Sequence, residues 1–225
     1  MGAACQVLPL MLKIGAVPRT RMKPKDAYHH GDLRSGIGEV ASAIVNQQGS
    51  AELTVRAVAQ RLGVSHAAIY HHFEDRADLL AAVAERGFDQ LAAVMERATA
   101  ENENALLGFR EQGLSYIRFA VQHPNLFGLM FRSEAGLRSE HPNLAGAADR
   151  LLERIRRAVV ACQTEGILMP GTPDEHTLFC WSGVHGLASL IVEQQLGQLT
   201  VPSDLESRAQ IVVDRIFTGL GARAG

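Results

Sequence analysis

The sequence predicts an all-α protein of about nine helices. Three observations carry this. Apolar residues recur at three- and four-residue spacing in almost every segment. The breaks between these stripes hold helix caps and glycine stops. No stretch alternates convincingly as a strand. The 225 residues are 47% hydrophobic and 20% charged, enough for one large or two small domains with a real core.

The elements follow in order. Leu33, Ile37, Val40, Ala41, Ile44 and Val45 form one stripe, closed by Gly49. Val55, Val58, Ala59 and Leu62 form a second, with Thr54 as N-cap and Gly63 as stop. Ser65 caps a short third helix that carries Ala68, Ile69 and Phe73. Asp75 caps a long fourth, whose apolar side runs through Leu79, Leu80, Val83, Ala84, Phe88, Leu91, Met95 and Ala98. Leu106 to Val121 is helical. "HPNL" occurs at 123–126 and again at 141–144, each time with proline at a first helical position. Leu144, Ala148, Leu151, Leu152, Ile155, Val159 and Cys162 continue the pattern to Gly166. Thr172 and Glu175 form a capping box around Pro173, before a helix that is apolar almost all round from Leu178 to Leu196. Ser203 and Glu206 form another capping box, and the last helix carries Leu205, Ile211, Val212, Ile216 and Leu220.

Only "LGVS" (62–65) joins the second and third helices. A glycine at the reversal, a buried Val64 in the angle and a capping Ser65 read as a helix-turn-helix. Ile69 and Phe73 anchor the third helix inward, so His66, Ala67, Tyr70 and His71 face outward, with His72 near the end. Small alanines let a backbone approach base edges, His66 can donate or accept there, and Tyr70, His71 and His72 offer donors to phosphate oxygens. Arg56 and Arg76 add charge. The formal net charge is −2, but residues 1–76 carry nine Lys/Arg against six Asp/Glu, so that end is +3 and the remainder −5. A mildly basic front on an acidic body suits an anionic partner.

Cys5, Cys162 and Cys180 give neither a disulfide framework nor a zinc pattern, which fits a reducing cytoplasm. A metal site from His71 and His72 with His29 and His30 is disfavoured. Adjacent helical histidines diverge by about 100°, and no cysteine or carboxylate sits at ligand spacing. No cofactor is expected, and no apolar run reaches membrane-spanning length. "ACQVLPLMLKIGAV" is broken by Pro9 and Lys13 and lacks a preceding positive charge, so it reads poorly as a signal peptide. Residues 1–27 are expected to form a disordered arm, with Met22 an alternative start.

"YHHGDLR" (28–34) and "LTVRAVAQRLGVSHAAIYHHFEDRADLL" (53–80) resemble the TetR family of bacterial transcriptional regulators. The resemblance implies base contacts from Arg56, His66, Ala67 and Ala68. It implies phosphate contacts from Thr54, Tyr70, His71, His72 and Arg76, the last a position more often lysine in that family. "FAVQHPNLFGLMF" (119–131) and "WSGVHGLASLI" (181–191) resemble a C-terminal subtype marked by Trp, His and Gly. In that family the last two helices pair with those of a second subunit. The excess apolarity of the helix holding Trp181, Val184, Leu187, Leu190 and Ile191 independently suggests an interface.

The expected organisation is therefore an arm (1–27), a three-helix DNA-binding head (28–76) and a helical ligand-binding and dimerisation body (77–225). Phe109, Tyr116, Phe119, Phe127, Met130, Phe131, Trp181 and His185 are the candidate lining of a pocket for an unidentified apolar effector with one or two polar handles. The expected partners are a double-stranded DNA operator, a second copy of the chain and that effector. The leading expectation is a ligand-released repressor. An activator or a division factor without inducer is the alternative. An all-α enzyme pairing Cys162 or Cys180 with His185 is remote, because no third orienting group is evident.

Overall fold

The structure, a computed structural model, describes residues 30–132, 137–197, 202 and 204–221. The expected N-terminal arm, Met22 and the Ser203 cap lie outside them.

Helix α1 (His30–Gln48) buries Ile37, Ala41, Ile44 and Val45. A 3₁₀ turn (Ser50–Glu52) leads to α2 (Val55–Leu62), where the Thr54 hydroxyl accepts from Ala57 N–H at 3.0 Å. Gly63 ends α2 at φ 70°, ψ 30°, the left-handed conformation that costs glycine nothing. The Ser65 hydroxyl then accepts from Ala68 N–H at 3.2 Å and starts α3 (His66–Tyr70). Five residues cannot sustain a helix in water by themselves. Buried Ile69 holds it against α2, and buried Phe73, just past its end, lies under Arg34 of α1.

Helix α4 (Arg76–Ala100) is capped by Asp75, which accepts from Asp78 N–H at 2.9 Å. Then come α5 (Ala105–Gln122), α6 (Pro124–Arg132), α7 (Leu137–Glu140), α8 (Pro142–Thr164), α9 (Pro173–Val192) and α10 (Leu205–Gly219). Helix α4 packs against α1, α5, α6, α7 and α8, while α5 packs against α8, α9 and α10. Both prolines of the "HPNL" repeats open helices, and the Thr172–Glu175 capping box is closed from both sides. The buried residues form one continuous cluster from Ile37 to Leu220.

Several local expectations change. The described residues hold ten α-helices because α7 is a single turn, too short for any periodicity to reveal. Buried Leu137 anchors it, and the ring of His141 meets Leu137 O at 2.8 Å. Val64 is half-buried rather than buried, because the turn it occupies is at the surface. Leu152 and Ile211 are exposed, since Ala147 and Val213 take the inward positions of their helices. Helix α10 is capped by Asp204, which accepts from Ser207 N–H at 2.8 Å. Both Glu206 oxygens accept from the Arg118 guanidinium of α5.

Gly87 marks the closest approach of α4 and α6: a Cβ there would lie 2.7 Å from Met130 Sδ and 3.0 Å from Leu126 Cδ1. Gly87→Val is expected to overpack this contact and lower the unfolding free energy by about 1–3 kcal/mol. A denaturation midpoint equal to wild type would contradict such close packing.

Candidate nucleic-acid interface and effector cavity

The head presents the expected outer residues. Thr54, Arg56, His66, Ala67 and His71 are exposed, Tyr70 is 55% exposed, and Ala68, His72 and Arg76 are half-buried. The Thr54 oxygen that accepts from α2 still carries a proton to donate. The rings of His71 and His72 meet edge to face, with centroids 5.1 Å apart. Among the described residues no group of three His, Cys, Asp or Glu could hold a metal, while His29 and the His30 side chain lie outside them.

Arg76, expected on phosphate, has partners within the head itself. Its guanidinium donates to Leu53 O and Ser50 O, both at 2.8 Å. The first turn of α4 lies against the chain between α1 and α2, so this side chain reaches back and clamps the segment that enters α2. Arg34 does related work at the other end of the motif. It donates to His72 O at 3.0 Å and stacks over the Phe73 ring at 4.9 Å, so it holds the exit of α3. Its role was open to inference from "YHHGDLR", because a guanidinium one helix away from an exposed helix end is suited to capping its carbonyls.

The expected pocket set separates in the body. Phe109 packs edge to face on Phe217 at 5.2 Å, and Phe119 packs on His123 at 4.8 Å. Tyr116, Phe127, Phe131 and Trp181 surround the His185 ring, with centroids 4.6–6.2 Å from it. Met130 is buried under α4 beside Gly87. Most of these side chains are therefore core, because rings in edge-to-face and tilted contact fill the centre of the body.

His185 is explained by a hydrogen bond. Its Nδ1 lies 2.8 Å from the Tyr116 hydroxyl and its Nε2 lies 3.4 Å from Ser189 Oγ. Burial raises the Tyr116 pKa well above the usual phenol value, so the phenol keeps its proton and donates it to Nδ1. Burial first, and then the nearby Arg138 charge, lower the His185 pKa, so the ring is neutral with its proton assigned to Nε2. The Arg138 guanidinium sits over the Phe88 and Phe131 rings and donates to Met130 O at 3.0 Å. A Cys–His nucleophile is not assembled. Burial raises the thiols of Cys162 to about 11 and Cys180 to about 12, and the partners of His185 are Tyr116 and Ser189.

A small cavity of about 30 Å³ remains between α4, α5, α8 and α9, lined by Met95, Phe109, Gln112, Tyr116, Trp181 and Val184 among others. Two polar atoms of residues around it are buried without a hydrogen-bond partner, Gln112 Oε1 and Trp181 Nε1, and the surface that the cavity itself presents is apolar. The indole N–H lies near the Tyr116 hydroxyl without reaching hydrogen-bonding geometry. Gln112 is missing from the expected set. The signal was a polar residue between Phe109 and Tyr116 on one buried face of α5.

On the outside of α9 and α10, Leu178, Phe179, Leu190 and Ile211 are 43–63% exposed. Val184 and Leu187 of α9 are largely buried within the chain, and Leu187 also borders the groove between α9 and α10. Among the described residues no helix is long and apolar enough to cross a membrane.

Head and body together define a DNA-binding regulator of the helix-turn-helix class. Residues 37–83 match the family pattern of bacterial regulatory proteins, tetR family, and residues 109–216 match that of the tetracyclin repressor-like C-terminal domain. The chain belongs to the TetR family of DNA-binding transcriptional regulators, which are not enzymes. It is similar to a protein with unknown function from Rhodococcus sp. RHA1, at 30% identity and TM-score 0.76, covering 88% of this chain and 100% of that one. It shares its fold with the regulator PfmR from Thermus thermophilus, at 23% identity and TM-score 0.59, covering 82% and 98%. It is also similar to the nucleoid occlusion factor SlmA of Vibrio vulnificus (strain YJ016), at 30% identity over 124 residues. That match takes in 52% of this chain and spans 58% of the relative's length.

The buried neutral His185 gives a pH prediction. Its folded pKa lies below the ordinary 6.5, so the unfolded chain takes up the proton first as pH falls. Its stabilising contribution is complete above about pH 6.5 and declines below it. The melting temperature is expected to drop between about pH 7.5 and pH 5.5, and less steeply in His185→Phe. Parallel profiles for the two proteins would refute the assignment.

Proposed function

We propose that the chain is a homodimeric repressor, with a head of residues 28–76 on operator DNA and a body of residues 77–225 that binds a small apolar effector and releases the DNA. The observation that carries the DNA-binding part is the division of α3. Ile69 and Phe73 are buried while His66, Ala67, Tyr70 and His71 are left to a partner. In this reading Arg56, His66, Ala67 and Ala68 meet base edges, and Thr54, Tyr70, His71 and His72 meet phosphates. Arg76 acts indirectly, by holding the approach to α2.

A groove of about 380 Å³ along α9 and α10, lined by Gly183, Gly186, Leu187, Leu190, Ile211 and Val212 among others, supports dimerisation. An apolar surface of this kind on two adjacent helices is stabilised by burial against its own copy. A dimer sets two recognition helices about 34–36 Å apart, one turn of DNA. Helix α4 supports effector release, because Met95 faces the cavity while the N-terminal end carries the Arg76 clamp. A second reading, a DNA-binding factor that acts by occupancy with no effector, is favoured by the similarity to a nucleoid occlusion factor.

The test is fluorescence anisotropy with labelled DNA from upstream of the protein's own gene, against scrambled DNA, at two salt concentrations. Tight binding to one fragment that survives the higher salt is expected. Weak, equal and salt-labile binding would overturn the reading. Tyr70→Phe is expected to weaken all sequences about equally, whereas His66→Ala should relax preference at one base pair. A uniform loss in His66→Ala would remove it from the bases. Leu190→Glu is expected to yield a monomer by light scattering, with correspondingly weaker operator binding.

A further inference from the structure

The body touches the exit of α3 through a histidine. His141 is the N-cap residue of α8, yet its side chain makes no capping bond to that helix. The ring turns away instead. Its Nδ1 lies 2.8 Å from Leu137 O, and its Nε2 lies 3.7 Å from Asp78 Oδ1 in the first turn of α4. A carbonyl oxygen only accepts, so Nδ1 carries the proton that bonds Leu137. The second nitrogen then faces a carboxylate, another acceptor. Only a ring protonated on both nitrogens meets both neighbours. The other oxygen of that carboxylate, Asp78 Oδ2, accepts from Glu74 N–H at 3.1 Å. Glu74 lies in the turn between α3 and α4, just beyond His72, whose carbonyl accepts from Arg34.

We infer that His141 is a positioning residue for the recognition helix, acting through Asp78 when its ring is protonated. The inference rests on the reading of α3 as the element that meets DNA. The imidazolium pins Asp78 to the junction of α7 and α8, and Asp78 passes that constraint to the turn by which the chain leaves α3. Arg34 holds the same exit from α1, so the end of this five-residue helix is gripped from two sides. Loss of the proton leaves two acceptors face to face, and the grip from the body is released. The surrounding charges suit such a contact. Glu74, Asp75 and Glu85 on the α4 side, Glu140 of α7 and Arg34 of α1 line the same cleft, four further carboxylates against one guanidinium. Arg138, the remaining charge on α7, is turned away to Met130 O. The amino end of α8 opposes a cation with about half a charge, less than the full charge of Asp78 alone. Both side chains of the pair are partly exposed, so its effect is a modest factor. Histidine is the side chain that changes charge between about pH 5 and pH 8, so the grip follows pH within that range.

The test compares the full-length protein with His141→Gln and Asp78→Asn. Asp78→Asn keeps an oxygen for Glu74 N–H and removes the charge that faces the ring. Without DNA, the amide resonance of Glu74 is followed by NMR between about pH 7.5 and pH 5.5, the range in which histidine titrates. His66, His71 and His72 are present in all three proteins, so their share of any shift is common. A pH-dependent shift in the wild type that is reduced in both variants is expected. Operator affinity is then measured by anisotropy at the two ends of that range. The wild type is expected to match the variants at the higher pH and to bind up to about fivefold more tightly than either at the lower. The double variant is expected to behave like each single one, because both remove the same contact. The same Glu74 titration in wild type and variants, or an affinity ratio that stays level or falls with decreasing pH, would overturn the inference. Absence of specific DNA binding at either pH would remove the DNA reading and leave the Glu74 result to stand by itself. An unchanged Glu74 titration with operator binding intact would remove the role of His141 alone.

Discussion

Helix α4 has to satisfy two sets of neighbours with one rigid rod. Its N-terminal half buries Leu79, Leu80 and Val83 near α1 and the head, and its C-terminal half buries Leu91 and Met95 against the body. Because the buried cluster is continuous, no apolar gap separates the two halves. Close-packed interiors have few voids to absorb a shift, so displacing one end of such a helix must be answered at the other. At Gly87 the absence of a side chain lets α4 lie directly against Met130 and Leu126 of α6.

The recognition motif relies on positioning supplied from outside itself. Its third helix is five residues long and cannot be held by propensity. Two arginines supply the missing constraint through carbonyls, Arg34 at the exit of α3 and Arg76 at the entry to α2. Charge-assisted hydrogen bonds of this kind fix geometry more firmly than neutral ones. They leave the exposed face to small or neutral polar side chains, which can approach a polyanion without a large desolvation cost.

In the body, the aromatic residues were expected to line a pocket. They mostly fill the space themselves. His185 sits among four rings as a neutral base, held by a buried phenol that keeps its proton. The open space lies beside this cluster, next to a glutamine that the aromatic pattern did not single out.

The helices were legible in the sequence because local rules decide them. Periodicity exposed the buried face of α4, proline marked the starts of α6 and α8, and the Thr54, Ser65, Asp75 and Thr172 caps each bond as their side-chain chemistry requires. The inward Ile69 and Phe73, and hence the outward face of α3, followed from spacing alone. Long-range partners were not legible, because no local pattern encodes which distant group a side chain will meet. Arg76 was read as a phosphate ligand, and its bonds to the chain between α1 and α2 were not foreseen. Glu206 was read through its neighbours in sequence alone, and its pairing with Arg118 of α5 was not foreseen. The sequence by itself determined the longer helices, the Thr54, Ser65, Asp75 and Thr172 caps and the helix-turn-helix motif, since those depend on residues within a few positions of one another. Only the tertiary structure decided which polar atoms of Gln112, Trp181 and His185 are satisfied and where space remains, because both depend on atoms brought together from α4, α5, α8 and α9.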